Sequence, residues 1–132
     1  MENNPSKQMQ NNPSKQVQTT ITFSHHKLDA FHVALEAMVQ CEAIAKAMPR
    51  GYGPLADQLR RSSQSAYLQL AEGANRFGGD AKARFRGARG EAGEAAAAVE
   101  GVLRLGLASD RECMSALGLL DRVAAMLTRL AR

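Results

Sequence analysis

The sequence predicts an all-α protein, an up-down-up-down four-helix bundle. Four segments repeat apolar residues at spacings of three and four, the period of one face of an α-helix. Short breaks containing Gly, Pro, Ser or Asp separate these segments. Residues that favour strands are scarce: aromatics make up 5% of the 132 residues, and there is no Trp. Amphipathic helices joined by short loops are typical of a bundle.

Residues 1–24 are predicted to be a flexible polar extension that is dispensable for folding. Residues 3–10 and 11–18 repeat one octapeptide with a single change, Met9 to Val17. A composition of Asn, Gln, Ser, Pro and Lys buries too little apolar surface to offset chain entropy. No segment resembles a secretory signal or reaches the ~20 apolar residues of a membrane span. We therefore expect a cytoplasmic protein, without a membrane partner, whose bundle occupies residues 25–132.

The first helix is predicted to begin near Lys27 and to end before residues 49–54, which include two Pro and two Gly. Its predicted core face comprises Phe31, Leu35, Met38, Ala45 and Met48. A second apolar stripe, on about the opposite face, comprises Val33, Ala37 and Ile44, and Tyr67 with Ala71 forms a similar stripe on the next helix. Because one apolar face suffices for a monomeric bundle, the second stripe predicts a homo-oligomer.

The second and third helices are predicted over about 55–76 and 81–107, with a break at 77–80 that Asp80 can cap. The predicted core faces comprise Leu55, Leu59, Ser62, Ala66, Leu70 and Gly73, then Phe85, Ala88, Ala92, Ala95, Val99 and Leu103. Five Gly fall in the third helix, each costing up to about 1 kcal/mol relative to Ala, so this helix needs tight packing. Away from the core face, a stripe of Gly90, Ala97 and Gly101 predicts close approach by a second subunit.

The fourth helix is predicted to begin at Ser109 or Asp110 and to end near Arg132. Its apolar seam comprises Cys113, Ala116 or Leu117, Leu120, Val123, Leu127 and Leu130. The two cysteines, Cys41 and Cys113, both fall beside apolar positions of predicted helices. We expect two reduced, buried thiols rather than a disulfide or metal ligands.

Positive charge is concentrated in one short segment. The chain has a net charge of +4, and residues 76–89 alone contain five cations against one carboxylate, Asp80. The cations are Arg76, Lys82, Arg84, Arg86 and Arg89, and a second stripe on the fourth helix comprises Arg111, Arg122 and Arg129. Two interpretations remain open: a surface for RNA, DNA or another polyanion, or a solvated face paired with carboxylates of a partner subunit. No stacking on unpaired bases is expected, because aromatics do not alternate with these charges.

No metal, cofactor or catalytic motif is present. Glu72 and Glu94 lack the Glu-x-x-His partners of di-iron bundles. The three histidines near the first helix lack further ligands at zinc-site spacing, and the Gly pair at 78–79 lacks the strand and the Lys of a phosphate loop. Glu72 is expected to pair with an Arg such as Arg60 or Arg76. These absences predict a non-enzymatic protein without a cofactor.

Residues 59–65 (LRRSSQS) and 70–73 (LAEG) resemble the "LRRAA-x-S…IAEG" core of the four-helix bundle family first noted as products of intervening sequences in bacterial 23S rRNA genes. The segments at 27–30, 88–94 and 119–127 resemble others of its segments, so the resemblance covers about 27–131. The sequence departs from the family pattern at three positions: Glu91 replaces a usual Ser, and Ser62 and Ser63 replace small apolar residues.

The resemblance implies a cyclic homopentamer whose molecular function is largely unassigned. A related protein is the accessory protein of diversity-generating retroelements, a basic pentamer that binds nucleic acid and a reverse transcriptase. This relation implies, as an alternative, an adaptor that binds another protein such as a reverse transcriptase. A further alternative is an enzyme with a site in the bundle core or at the oligomer interface.

Overall fold

A computed structural model describes residues 22–132, and over this range the chain is a four-helix bundle without strands, which confirms the predicted fold class. After one 3-10 turn at Ser24–Lys27, the helices are α1 (Asp29–Ala47), α2 (Gly53–Ala74), α3 (Gly78–Leu105) and α4 (Asp110–Leu130). Each helix packs against the next one along the chain, and α1 also packs against α4, which closes the bundle. Almost all of the predicted extension, residues 1–24, lies outside the described residues.

Local signals in the sequence set the helix ends. Helix α2 begins two residues before its predicted start and has Pro54 in its first turn, where the missing N–H costs no hydrogen bond. Helix α3 ends at Leu105 and is followed by Gly106, whose φ of 69° is in the left-handed region that glycine adopts without strain. Ser109 caps α4: its Oγ accepts from the backbone N of Glu112 at 3.1 Å, and the Glu112 carboxylate accepts from the Ser109 backbone N.

The core is made largely of small side chains. Alanine supplies 12 of the 24 buried apolar residues, and the largest fully buried side chains include Ile44, Leu59, Leu70 and Leu127. The predicted faces of α2, α3 and α4 are buried except at Leu55, Leu103 and Leu130, which are half-buried. Of the two candidates on α4, Ala116 is the buried residue. Small buried side chains allow helices to approach one another closely, which is the kind of packing that a glycine-rich α3 requires.

The prediction for α1 was only partly right. Phe31 and Ala45 of its predicted core face are buried, whereas Leu35, Met38 and Met48 are half-buried, and the second stripe was misassigned. Ala37 and Ile44 are 1% and 2% exposed inside the bundle, so they are core residues and cannot contact a second subunit. Val33 and Tyr67 are half-buried, and the Tyr67 ring lies 6.3 Å from that of Phe31 in the same chain. Because α1 contacts both α2 and α4, its buried sector spans both apolar stripes. The second stripe therefore gives no support for oligomerisation.

Both cysteines are free and buried, as predicted. Burial raises the pKa of Cys41 to about 12, against a smaller opposite effect of a hydrogen bond with Ser63. Burial, with the nearby Glu112 and Asp110, also raises the pKa of Cys113. Since the thiolate is the reactive form, both thiols should be unreactive in the folded protein.

The test is a disulfide reagent that releases a coloured thiolate when it reacts with a free thiol. We expect the native protein to show no reactive thiol within minutes at pH 8, and the protein in denaturant to show two. Free cysteine in the same buffer is the control for reagent activity. Immediate titration of both thiols in the native protein would contradict the buried positions.

Candidate nucleic-acid interface

The turn between α2 and α3 is held together by ion pairs. Arg76 donates to Glu72 Oε2 at 3.1 Å and to Asp80 Oδ2 at 2.8 Å, and these contacts, chiefly that with Asp80, raise its pKa. Arg84 Nε lies 3.6 Å from Glu72 Oε1 and has no hydrogen-bond partner among residues 22–132. Glu72 thus joins the end of α2 to the start of α3.

The expected pairing of Glu72 with Arg76 is confirmed. Arg60 instead pairs with Glu42, its Nε lying 3.0 Å from Oε1, and more distantly with Asp57. Glu72 comes from the preceding helix, so two carboxylates, Glu72 and Asp80, contact the cations of residues 76–89, through Arg76 and Arg84. The local charge of this region is therefore lower than the sequence segment alone indicates.

The five basic residues fall into two groups. Arg76 and Arg84 lie beside Glu72, whereas Lys82 and Arg86 are exposed and make no ion pair within residues 22–132. Arg89 is exposed as well, and its Nε donates to Thr128 Oγ1 of α4 at 2.7 Å. The positions of Lys82, Arg86 and Arg89 at i, i+4 and i+7 put them on one face of α3. We call these three residues the basic face of α3.

Phe77 is an aromatic residue that was not among the predicted site residues. It immediately precedes α3, next to Arg76, and it is 90% exposed. The other aromatic of this segment, Phe85, is 7% exposed and lies against Gly73 of α2. The premise that aromatics do not alternate with these charges was therefore wrong, because Phe77 follows Arg76 and Phe85 lies between Arg84 and Arg86. The signal was present in the sequence, as an Arg-Phe-Gly-Gly turn, but only the fold separates the exposed ring from the buried one.

Gly73, in the Ala71-Glu72-Gly73 segment, allows α2 and α3 to cross closely. A Cβ at this position would lie 2.9 Å from Cδ1 and Cε1 of Phe85 and 3.1 Å from the carbonyl oxygen of Ala81. Real Cβ atoms essentially never lie under 3.0 Å from such neighbours. Glu72 and Gly73 therefore have structural roles: one carries the ion pairs of the turn, and the other makes room for a buried ring.

The second basic stripe lies on another side of the molecule. Arg111 lines a groove of about 250 Å³ between α1 and α4, beside the hydrogen bond from Ser115 Oγ to Gln40 Oε1 at 2.8 Å. Arg129 lines a smaller groove near the start of α1. These residues therefore face the α1 side of α4, and they do not extend the basic face of α3.

The predicted small-residue stripe is only partly open. Gly90 and Ala97 are exposed on α3, and a Cβ on Gly90 would meet nothing within 4 Å. Gly101 is half-buried, and Leu55 of the same chain is its nearest neighbour, at 4.0 Å from the Cβ position. Between α3 and α4 runs a groove of about 310 Å³ whose lining includes Gly93, Ala96 and Leu117.

The three histidines gather around Phe23 and Phe31 at the start of the bundle. His25 Nδ1 accepts from Asn75 Nδ2 at 2.9 Å, and burial together with nearby His26 and His32 lowers the pKa of His25. No group of three His, Cys, Asp or Glu residues within 22–132 is placed to hold a metal ion. None of the helices in this range has an apolar stretch long enough to cross a membrane.

One family was found by comparison with known proteins. The family described as 23S rRNA-intervening sequence protein matches residues 26–129, a range that contains α1, α2 and α3 and all of α4 except its last residue. A comparison with curated proteins found no match.

Proposed function

Because the chain belongs to the 23S rRNA-intervening sequence protein family, we propose that it is a non-enzymatic, homo-oligomeric bundle that binds RNA or another polyanion. The observation that carries this proposal is the basic face of α3. Three exposed cations share one helix face, and Lys82 and Arg86 have no carboxylate partner among the described residues. Cations without a partner can neutralise phosphates and release the counterions condensed on a nucleic acid.

The described part of the core supports a non-enzymatic role. Its buried polar side chains are those of Ser62 and Ser63, and both hydroxyls donate to carbonyls of their own helix. Among the described residues neither hydroxyl is hydrogen-bonded to a His, Asp or Glu side chain that would activate it. An enzyme would need its reactive groups outside this core. Elemental analysis of the purified protein tests that alternative, which stoichiometric metal would favour.

The polyanion proposal predicts steeply salt-dependent binding that tolerates changes of sequence. We expect replacement of Lys82, Arg86 and Arg89 by Gln to weaken binding. It should also reduce the slope of log Kd against log salt by about 2, since each phosphate contact on a single strand contributes about 0.7 to that slope. The measurement is fluorescence anisotropy with labelled RNA and DNA. The fold should persist, because all three side chains are exposed.

The matched control neutralises Arg111, Arg122 and Arg129, which changes the net charge equally on another side of the protein. It should leave most of the affinity intact. No binding at ~50 µM protein in low salt, or equal losses in the two triple variants, would contradict the assignment to the basic face of α3.

We propose that oligomerisation uses the exposed side of α3 at Gly90 and Ala97, beside the groove between α3 and α4. Five copies are expected from the family resemblance, which corresponds to about 71 kDa for a 14.2 kDa chain. Ala97→Arg should dissociate the assembly while circular dichroism stays helical, because residue 97 is exposed in the single chain. Ala125→Arg, at an exposed position of α4, is the control. A 14 kDa particle for the wild-type protein in light scattering would contradict the proposal.

The alternative is an adaptor that binds another protein such as a reverse transcriptase. The exposed apolar side chains of the bundle, among them Val39, Leu68 and Met114, could take part in such a contact. Genomic neighbourhood separates the two functions: a reverse transcriptase gene next to this one would favour the adaptor, and a location inside an rRNA gene would favour the RNA-associated role.

A further inference from the structure

We propose that Phe77 stacks on an unpaired base, so that the polyanion bound by the basic face of α3 is a single-stranded nucleic acid. This inference rests on the proposed function and names its ligand class. Stacking on aromatic side chains beside a cationic track is how proteins bind single strands without sequence preference, because every base has a π-face.

The first argument is the exposure of the Phe77 ring. Six large apolar residues are exposed among residues 22–132; five of them are 53–58% exposed, whereas Phe77 is 90% exposed. Its chain neighbours are Arg76 and Gly78, so no apolar side chain flanks the ring along the chain. A single exposed ring among charges suits a flat, polar-edged base better than the continuous apolar core of a protein interface.

The second argument is the position of the ring relative to the cations. Phe77 lies at the start of α3, and Lys82 and Arg86 follow five and nine residues later. At a rise of 1.5 Å per residue they lie roughly 7.5 and 13.5 Å further along the helix axis. A strand whose backbone follows these cations would reach the turn, where the ring is the exposed aromatic surface.

The third argument is that the turn is already ordered. Arg76, the neighbour of Phe77, is held between Glu72 and Asp80, and the backbone of Phe77 is extended, with φ of −129° and ψ of 155°. Asp80 would repel a phosphate, but Arg76 compensates its charge at 2.8 Å. A backbone held in place before binding loses little conformational freedom when a base stacks on the ring that it carries.

The experiment compares a single-stranded RNA with an RNA duplex of equal length, using wild-type protein and Phe77→Ala. We expect Phe77→Ala to weaken single-strand binding about tenfold and to leave duplex binding unchanged, because paired bases do not offer their faces. Leu105→Ala is the matched control: it removes an exposed apolar side chain, 57% exposed, from the far end of the same helix. This variant should bind the single strand and the duplex with the same affinities as the wild-type protein.

A second readout tests stacking directly. The chain contains no Trp, so Phe77→Trp introduces a single Trp at the turn, whose emission can be excited apart from that of the two Tyr. Its emission should be quenched by the single strand but not by a strand of the same length with abasic sites. Abasic sites should weaken wild-type binding and leave Phe77→Ala binding unchanged. The reason is that stacking contributes to affinity only when both the ring and the base are present.

The possible failures are distinguishable. Wild-type protein that binds neither RNA overturns the proposed function together with this inference. Binding that Phe77→Ala leaves unchanged, or weakens equally for strand and duplex, overturns this inference alone. A lower mass of Phe77→Ala in light scattering would also overturn it, since the ring would then contact a second copy of the chain.

Discussion

Replacing Ile44 by Glu should leave the chain unfolded at room temperature. The side chain is 2% exposed in α1, among the apolar residues of the core. The substitution forfeits about 2–3 kcal/mol of apolar burial and puts a carboxylate without a partner into that environment, at a cost of several kcal/mol more. Small domains have a total stability of only about 5–15 kcal/mol. Far-ultraviolet circular dichroism should show the loss of most helical signal.

Val39→Glu is the matched control, because it puts the same charge on the same helix at a position 53% exposed. Its effect on the free energy of unfolding should be within about 0.5 kcal/mol. A folded but dissociated Ile44→Glu protein would contradict the bundle as described. That result would place Ile44 between subunits, as the two apolar stripes of the sequence predicted.

Gly73→Ala should destabilise the bundle by about 1–3 kcal/mol, which is the usual cost of overpacking. The added methyl would lie 2.9 Å from the Phe85 ring and 3.1 Å from the Ala81 carbonyl oxygen, so α2 and α3 must separate or the buried ring must turn. Alanine favours a helix by up to about 1 kcal/mol over glycine, and here the steric cost exceeds that gain. Urea unfolding followed by circular dichroism measures the difference.

Gly118→Ala is the control for helix propensity alone. Gly118 lies inside α4, and a Cβ there meets nothing within 4 Å, so we expect a stabilisation of up to about 1 kcal/mol. Opposite signs for the two variants would support the close crossing at Gly73. Gly73→Ala protein as stable as Gly118→Ala would show that α2 and α3 are further apart than described.

The sequence predicted the fold because its signals are local. Two Pro and two Gly at residues 49–54 cannot continue a helix, and Ser109 with Glu112 forms a capping box that requires only four consecutive residues. The core faces of α2, α3 and α4 followed from spacing alone, because each of these helices has one dominant apolar face.

The faces of α1 could not be assigned in the same way. Its apolar residues lie on more than one side, and spacing cannot tell a face that contacts a second helix of the same bundle from one that contacts another subunit. The structure resolves this because α1 packs against both α2 and α4, which buries Ala37 and Ile44. The tertiary arrangement, rather than local propensity, decided these positions.

The candidate site was predicted as a set of charges but not as a surface. The sequence identified Lys82, Arg86 and Arg89, since i, i+4 spacing is visible in it. The exposure of Phe77 depends on the path of the turn, and the pairing of Arg84 with Glu72 joins residues twelve apart on two helices. Neither feature has a local pattern that spacing could reveal.

The abundance of alanine in the core has a consequence for the temperature dependence of stability. A buried methyl group exposes little apolar surface on unfolding, and the heat-capacity change of unfolding rises with the apolar surface exposed. We therefore expect a heat-capacity change of unfolding per residue below the usual ~12–15 cal/mol/K. A smaller heat-capacity change flattens the curve of free energy against temperature. The bundle should then keep its stability over a wide thermal range and resist unfolding in the cold as well as in the heat.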